Sequence, residues 1–99
     1  YDRNSSAQVI VRPDGTLIAD ARVYIDDFEE AYGEFLTEEE REENNTLAGV
    51  VFSMTGHVPA RGEILSHPSG VEFEVLDADL RRINRLKIRN LVPSSNITQ

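Results

Sequence analysis

The chain has 99 residues, a formal net charge of −8 and no cysteine. This length suits a single domain, and the missing cysteine excludes disulfides, thiolate nucleophiles and Cys-ligated metal centres. Hydrophobic residues make up 39% of the chain, which allows one modest core. No apolar run approaches the roughly 20 residues that a membrane-spanning helix needs. The first residue is Tyr1, without Met, which indicates a fragment of a longer protein.

The negative charge is unevenly distributed along the chain. Residues 20–43 carry eleven acids and two bases, whereas residues 80–89 carry five bases and no acid. Charged runs of this kind usually keep a small domain soluble, so we interpret both as solvated faces. The acidic balance argues against nucleic-acid binding, because a nucleic-acid-binding surface is normally net basic.

The N-terminal third of the chain predicts a β-hairpin followed by a short helix. Residues 8–20 contain two β-branched runs separated by Pro-Asp-Gly at 13–15, which favours a turn. Residues 25–32 place apolar side chains at helical spacing, and Gly33 can end this helix because glycine tolerates positive φ. The acidic residues of this helix fall in its early turns, where carboxylates stabilise the positive end of the helix dipole: Asp26, Asp27, Glu29 and Glu30.

Two further helices are suggested by the middle of the chain. Thr37 and Glu40 have the spacing of a capping box, which predicts a short helix immediately afterwards. Residues 46–55 fit either a buried helix, with Thr46 as its cap and Gly56 at its end, or a buried strand. The periodicity alone leaves these two structures as equal alternatives.

The C-terminal part predicts a short strand and then a hairpin in which apolar and charged residues alternate. A two-residue turn would place Phe73 opposite Leu86 on one face and Glu74 opposite Arg85 on the other. This register pairs apolar with apolar and acid with base, as cross-strand packing favours. Leu80 suits the positive φ of such a tight turn poorly, so a wider turn is the alternative.

Few patterns in the sequence carry chemistry. His57 and His67 are ten residues apart in loop-like contexts, which matches no helical metal pair, and His67 is expected to be exposed beside a turn. Neither a phosphate-binding glycine loop nor a nucleophile elbow occurs, so an enzyme is the least expected class. An acidic stretch could bind Mg²⁺ or Ca²⁺ weakly. Its candidate ligands are Glu38, Glu39, Glu42 and Glu43.

Four short motifs stand in a characteristic order. They are Thr-Leu-Ala-Gly at 46–49, Gly-His-Val-Pro-Ala-Arg-Gly-Glu at 56–63, Phe-Glu-Val-Leu at 73–76 and Arg-Arg-Ile at 81–83. Together they resemble the transporter-associated domain of the CorC/HlyC type over most of the chain. The motif positions that we single out as structural are Thr46, Gly49, Gly56, Pro59, Gly62 and Arg82. The chain departs from the family pattern at Asn45, where an acid is common, and at Leu80, where glycine is common.

The resemblance implies an α+β fold. The expected architecture is a small, mostly antiparallel sheet of about five strands with two or three short helices packed on one side, similar to part of the fold of FAD-binding oxidases. Within it, residues 46–55 would be a helix. The domain would occupy residues 7–92, with flexible termini or linkers at 1–6 and 93–99.

The resemblance also implies a function, that of a non-catalytic regulatory or interaction domain. The parent would be a bacterial, hemolysin-like membrane protein similar to magnesium and cobalt efflux proteins, with this domain on the cytoplasmic face. The expected partners are the CBS domain pair and transmembrane region of that parent, and a second copy of the domain. No cofactor is expected. FAD, an adenine nucleotide or Mg²⁺ is a possible ligand only by analogy with the family or the fold. The alternatives are a nucleotide- or flavin-binding module and an acidic divalent-cation sensor.

Overall fold

In the computed structural model, which describes residues 9–90, the chain forms an antiparallel sheet and three short helices. The strands are β1 (Val9–Val11), β2 (Leu17–Asp20), β3 (Ile64–Ser66), β4 (Glu72–Ala78) and β5 (Ile83–Arg89). The helices are α1 (Ile25–Tyr32), α2 (Glu38–Glu43) and α3 (Leu47–Thr55). The strand order is β1-β2-β5-β4-β3, and every neighbouring pair is antiparallel. The predicted α+β class is confirmed, whereas the predicted flexible termini lie outside the described residues.

One face of the sheet is buried under the helices. In β4, Phe73 and Val75 are fully buried while Glu74 between them is only half-buried, and the end of β5 repeats this alternation at Leu86, Lys87 and Ile88. Phe35, between α1 and α2, joins the two layers, because its ring lies 6.0 Å from those of both Phe28 and Phe73. The core is therefore built from one sheet face, α1 and α3, with aromatic contacts between the layers.

The helix boundaries follow the predicted capping residues. Thr37 Oγ1 accepts the Glu40 N–H at 3.2 Å and Glu40 Oε1 accepts the Thr37 N–H at 2.9 Å, so the capping box is confirmed. Thr46 Oγ1 accepts the Gly49 N–H at 3.2 Å at the start of α3. Gly56 ends this helix at φ 79°, a left-handed conformation that glycine adopts without steric cost. Of the two alternatives for residues 46–55, the helix is confirmed.

The N-terminal hairpin also forms as predicted. Val9 lies opposite Ala19 and Val11 opposite Leu17. The turn between β1 and β2 closes where the Arg12 N–H donates to the Thr16 carbonyl at 2.8 Å. The sequence therefore identified this hairpin from its β-branched runs and its Pro-Asp-Gly turn alone.

The predicted register of the C-terminal hairpin is wrong by two residues. Phe73 lies opposite Ile88 instead of Leu86, and the pair Glu74–Arg85 is replaced by Glu74–Lys87. The cause is the wider turn at residues 79–82, in which the Asp79 N–H donates to the Arg82 carbonyl at 2.9 Å. Because side chains alternate with a period of two, this shift leaves Phe73, Val75, Leu86 and Ile88 on their predicted face. A register irregularity between Val75 and Ala78 also places Ile83 opposite Ala78 and in the core, instead of on the charged face.

Candidate functional site

The candidate metal ligands from the sequence lie on α2, a helix of six residues with no buried side chain. Successive helical positions point about 100° apart, so adjacent carboxylates on α2 diverge from one another. Among the described residues 9–90, no group of three or more His, Asp or Glu side chains is arranged to hold a metal ion. The metal-binding role of Glu38, Glu39, Glu42 and Glu43 therefore stays a prediction.

The remaining glutamate of α2, Glu40, contacts the turn between β3 and β4. Its two carboxylate oxygens lie 3.1 and 3.0 Å from His67 Nε2. His67 is only 5% exposed, and its ring packs edge-on against Phe35 with 5.6 Å between the centroids. The expectation that His67 is exposed is therefore wrong, because α2 and Phe35 cover a turn that the local sequence places at the surface. His57 is exposed.

The tautomer of His67 follows from its other contacts. The backbone N–H of Ser69 donates to Nδ1 at 3.0 Å, so Nδ1 accepts and Nε2 carries the hydrogen that is donated to Glu40. Ser69 Oγ also lies 2.8 Å from Nδ1 and accepts the Val71 N–H at 3.4 Å. The hydrogen bonds that link Glu40, His67 and Ser69 thus join α2 to the β3–β4 turn. The hydroxyl of Ser69 is also part of the turn's own hydrogen bonding.

Glu40 is held in its charged form by this arrangement. Partial burial on its own would raise the pKa of Glu40, because a charged carboxylate loses hydration. Hydrogen bonds from Thr37 and His67 outweigh the burial and bring the pKa below its ordinary value of 4.5. The same carboxylate therefore caps α2 and anchors His67.

A buried carboxylate, on Glu29, organises the segment between α1 and α2. Glu29 is 6% exposed and accepts the backbone N–H groups of Phe35 and Leu36 at 2.8 and 3.0 Å. It also pairs with Arg41 Nε at 2.6 Å, and Arg41 donates in turn to the Leu36 carbonyl at 2.8 Å. The sequence placed Glu29 among dipole-stabilising acids on a solvated face, so this buried role was missed. Its signal was helical spacing, because Glu29 lies four residues after Ile25 and three before Tyr32 and so falls on the apolar stripe of α1.

An open groove of about 450 Å³ lies between α2, α3 and β3. We call it the acidic groove, and its lining residues are Glu40, Glu43, Val50, Ser53, Met54, Leu65, Ser66 and Pro68. It combines two carboxylates with four apolar side chains and two hydroxyls. Its chemistry suits a positively charged group attached to an apolar one.

The β4–β5 turn, residues 79–82, has the opposite character. Asp79 Oδ1 accepts the backbone N–H groups of Arg81 and Arg82 at 2.8 and 3.0 Å, which holds the turn in shape. These hydrogen bonds lower the pKa of Asp79, so the carboxylate stays charged within the turn. The side chains of Arg81 and Arg82 are exposed, and Leu80 is 98% exposed. The turn therefore presents one apolar and two basic side chains to solvent.

The motif residues from the sequence are dispersed and serve the backbone. Gly49 approaches α2 closely, because a Cβ added there would lie 3.3 Å from Asn44 Oδ1. The Gly62 N–H donates to the Val75 carbonyl at 2.7 Å, at a φ of 92°. Pro59 is fully buried. Together with the caps at Thr46 and Gly56, these positions shape loops and helix ends instead of converging on one site.

The three helices of the described part are short. The longest of them, α3, has nine residues, and none of the helices in residues 9–90 is long and apolar enough to cross a bilayer.

The family model of the CorC_HlyC transporter-associated domain matches residues 10–92. Hemolysin C from Rickettsia prowazekii is 36% identical over 95 residues, which cover 94% of this chain and 31% of that protein. The magnesium and cobalt efflux protein CorC from Salmonella typhimurium is 40% identical over 65 residues, which cover 66% of this chain and 21% of that protein. The chain thus spans about a quarter of the length of the curated relatives that it matches.

Solved structures share the fold. The CorC_HlyC domain of a Xylella fastidiosa hemolysin, described as a complex with Mg²⁺ and Mn²⁺, is 28% identical with a TM-score of 0.68. The match covers 85% of this chain and 98% of that one. The fold and the family match together define an accessory domain associated with transporters. The chain belongs to the CorC_HlyC transporter-associated domain family.

Proposed function

We propose that this chain is a regulatory or interaction domain, without catalytic activity of its own, of a bacterial membrane protein that exports divalent cations. The observation that carries the proposal is the family match over residues 10–92, supported by the identity of 40% to a protein named for magnesium and cobalt efflux. The distribution of the motif residues agrees with it, since they shape the backbone and do not gather around a reacting group.

The proposed partners are the remainder of the parent protein, namely a CBS domain pair and a transmembrane region, together with a second copy of this domain. The proposed location is the cytoplasmic face of the membrane. Because the chain has no cysteine, a single Ser53→Cys substitution would introduce a unique label within it. In a parent freed of other cysteines, a membrane-impermeant maleimide should label this site in lysed cells but not in intact cells.

The regulatory role is tested by removing residues 1–99 from the full-length parent. We expect cells that express the shortened protein to lose or change their Mg²⁺ and Co²⁺ efflux and their tolerance of Co²⁺. Equal amounts of both proteins in the membrane fraction are the necessary control. Identical efflux rates with and without the domain would refute the regulatory role.

Divalent-cation binding is a second candidate, favoured by the Mg²⁺ and Mn²⁺ described for the Xylella fastidiosa domain. A specific site would raise the unfolding temperature through binding linkage, whereas screening treats all salts alike at matched ionic strength. The measurement compares MgCl₂ and MnCl₂ with NaCl. The variant Glu38→Gln/Glu39→Gln/Glu42→Gln/Glu43→Gln should lose any specific rise, and equal shifts in all three salts would exclude the site.

A further inference from the structure

The acidic groove and the β4–β5 turn lie at opposite ends of β4. The groove includes Ser66, which pairs with Glu72 at the first residue of β4. Leu80 follows the last residue of that strand, Ala78. With a rise of about 3.3 Å per residue, β4 separates the two features by about 20 Å. They cannot contact one another within a single copy.

Their chemistries are complementary. The groove offers the carboxylate of Glu43 beside apolar side chains of α3 and β3. The charge of Glu40, whose oxygens already bind Thr37 and His67, lies next to it. The turn offers an almost fully exposed Leu80 followed directly by Arg81 and Arg82. A projecting apolar side chain flanked by cations matches a concave apolar surface flanked by carboxylates in both shape and sign of charge.

We propose that the β4–β5 turn of one copy docks into the acidic groove of a second copy. The contact joins two different surfaces, so the copy at one end of an assembly keeps a free turn and the copy at the other end keeps a free groove. Such a contact produces head-to-tail assemblies whose length grows with concentration. This proposal specifies the contact with the second copy that is proposed above as a partner. It does not rest on ion export or regulation, so the self-association test and the efflux test can fail independently.

Sedimentation equilibrium of the 99-residue chain tests the contact. At low ionic strength, the weight-average mass should rise above the monomer mass of 11.1 kDa as the concentration increases from micromolar to millimolar. High NaCl should lower that mass, because salt screens exposed ion pairs. A mass that stays at the monomer value throughout this range would overturn the proposal.

Two charge reversals identify the surfaces. Arg81→Glu on the turn and Glu43→Arg in the groove should each weaken association by about tenfold, because each places like charges together. An equimolar mixture should associate again, since one variant retains an intact groove and the other an intact turn. If the mixture associates no better than the separate variants, the two surfaces are not partners.

Two further variants separate this contact from general charge effects. Arg12→Glu makes the same charge change on the exposed β1–β2 turn. This turn lies at the β1 edge of the sheet, opposite the β3 edge that lines the groove, so the substitution should leave association unchanged. Leu80→Ser changes no charge but removes the apolar group, and should weaken association by about tenfold. Equal weakening by Arg12→Glu and Arg81→Glu would attribute association to net charge and contradict the docking contact.

Discussion

The α2 region and the β4–β5 turn use charged residues in opposite ways. In the α2 region, which comprises residues 33–43 with their partners Glu29 and His67, carboxylates are directed at backbone N–H groups, an arginine and an imidazole. In the β4–β5 turn, one carboxylate shapes the backbone while the arginines and Leu80 extend into solvent. The charges of Glu29, Glu40 and Arg41 hold the fold together, and those of the turn remain available for a partner.

The largest expected effect is in the α2 region, from Glu29→Ala. This substitution leaves Arg41 without its partner at 2.6 Å and removes the acceptor for two buried backbone N–H groups. We expect the free energy of unfolding to fall by about 3 kcal/mol. Urea denaturation measures it, with the exposed Glu30→Ala as the matched control. A loss no greater than that of the control would show that the buried network does not stabilise the fold.

A somewhat smaller loss is expected from His67→Ala. The substitution removes a buried ring that packs on Phe35 and deprives Glu40 of a hydrogen-bond donor. We expect about 2 kcal/mol of destabilisation. The exposed His57→Ala is the control, compared by thermal unfolding at the same pH. Equal losses would contradict the burial and pairing of His67.

The pH dependence of stability tests Glu40 more finely. Its pKa in the folded state lies below the ordinary 4.5, so the charged carboxylate stabilises the fold above that pH. This contribution is lost as the pH falls from 4.5 through the lowered folded-state pKa. Glu40→Gln should therefore lower stability at pH 7 and flatten the decline in stability between about pH 5 and pH 3. Urea midpoints across this range measure it, and an unchanged slope would refute the assignment. Glu39→Gln, on the exposed side of α2, is the control.

The smallest effect on stability is expected at the β4–β5 turn. Leu80 is almost fully exposed, so Leu80→Ser should change the free energy of unfolding by no more than about 0.5 kcal/mol. The comparison is sharpest when the same sample is tested for unfolding and for self-association. A large destabilisation would show that Leu80 supports the fold, and would remove the contrast between the two regions.

Most secondary structure was predictable because its signals are local. The capping box at Thr37 and Glu40, the glycine at position 56 and the turn at 13–15 each act within a few residues, and each forms as predicted. The helical alternative for 46–55 needed the family resemblance, since an apolar run of this length fits a buried strand equally well.

The errors have two physical causes, a turn that is closed by a side chain and contacts between distant segments. The register of β4 and β5 was wrong because the turn at 79–82 is closed by Asp79 bonding to backbone N–H groups, not by a tight two-residue turn. His67 was expected at the surface because its neighbours are turn residues. Its burial depends on Glu40, which is 27 residues away along the chain.

By itself, the sequence determined the helix ends and the apolar face of β4, because these follow from residue spacing, which a chain carries before it folds. It determined the fold class and the family through the resemblance of its motifs to a known family. Only the tertiary structure decided which carboxylates are buried, which strand positions pair and where the groove forms. Those outcomes depend on how helices and strands pack against one another, because a side chain such as Glu29 or His67 acquires its role only from the segments that enclose it.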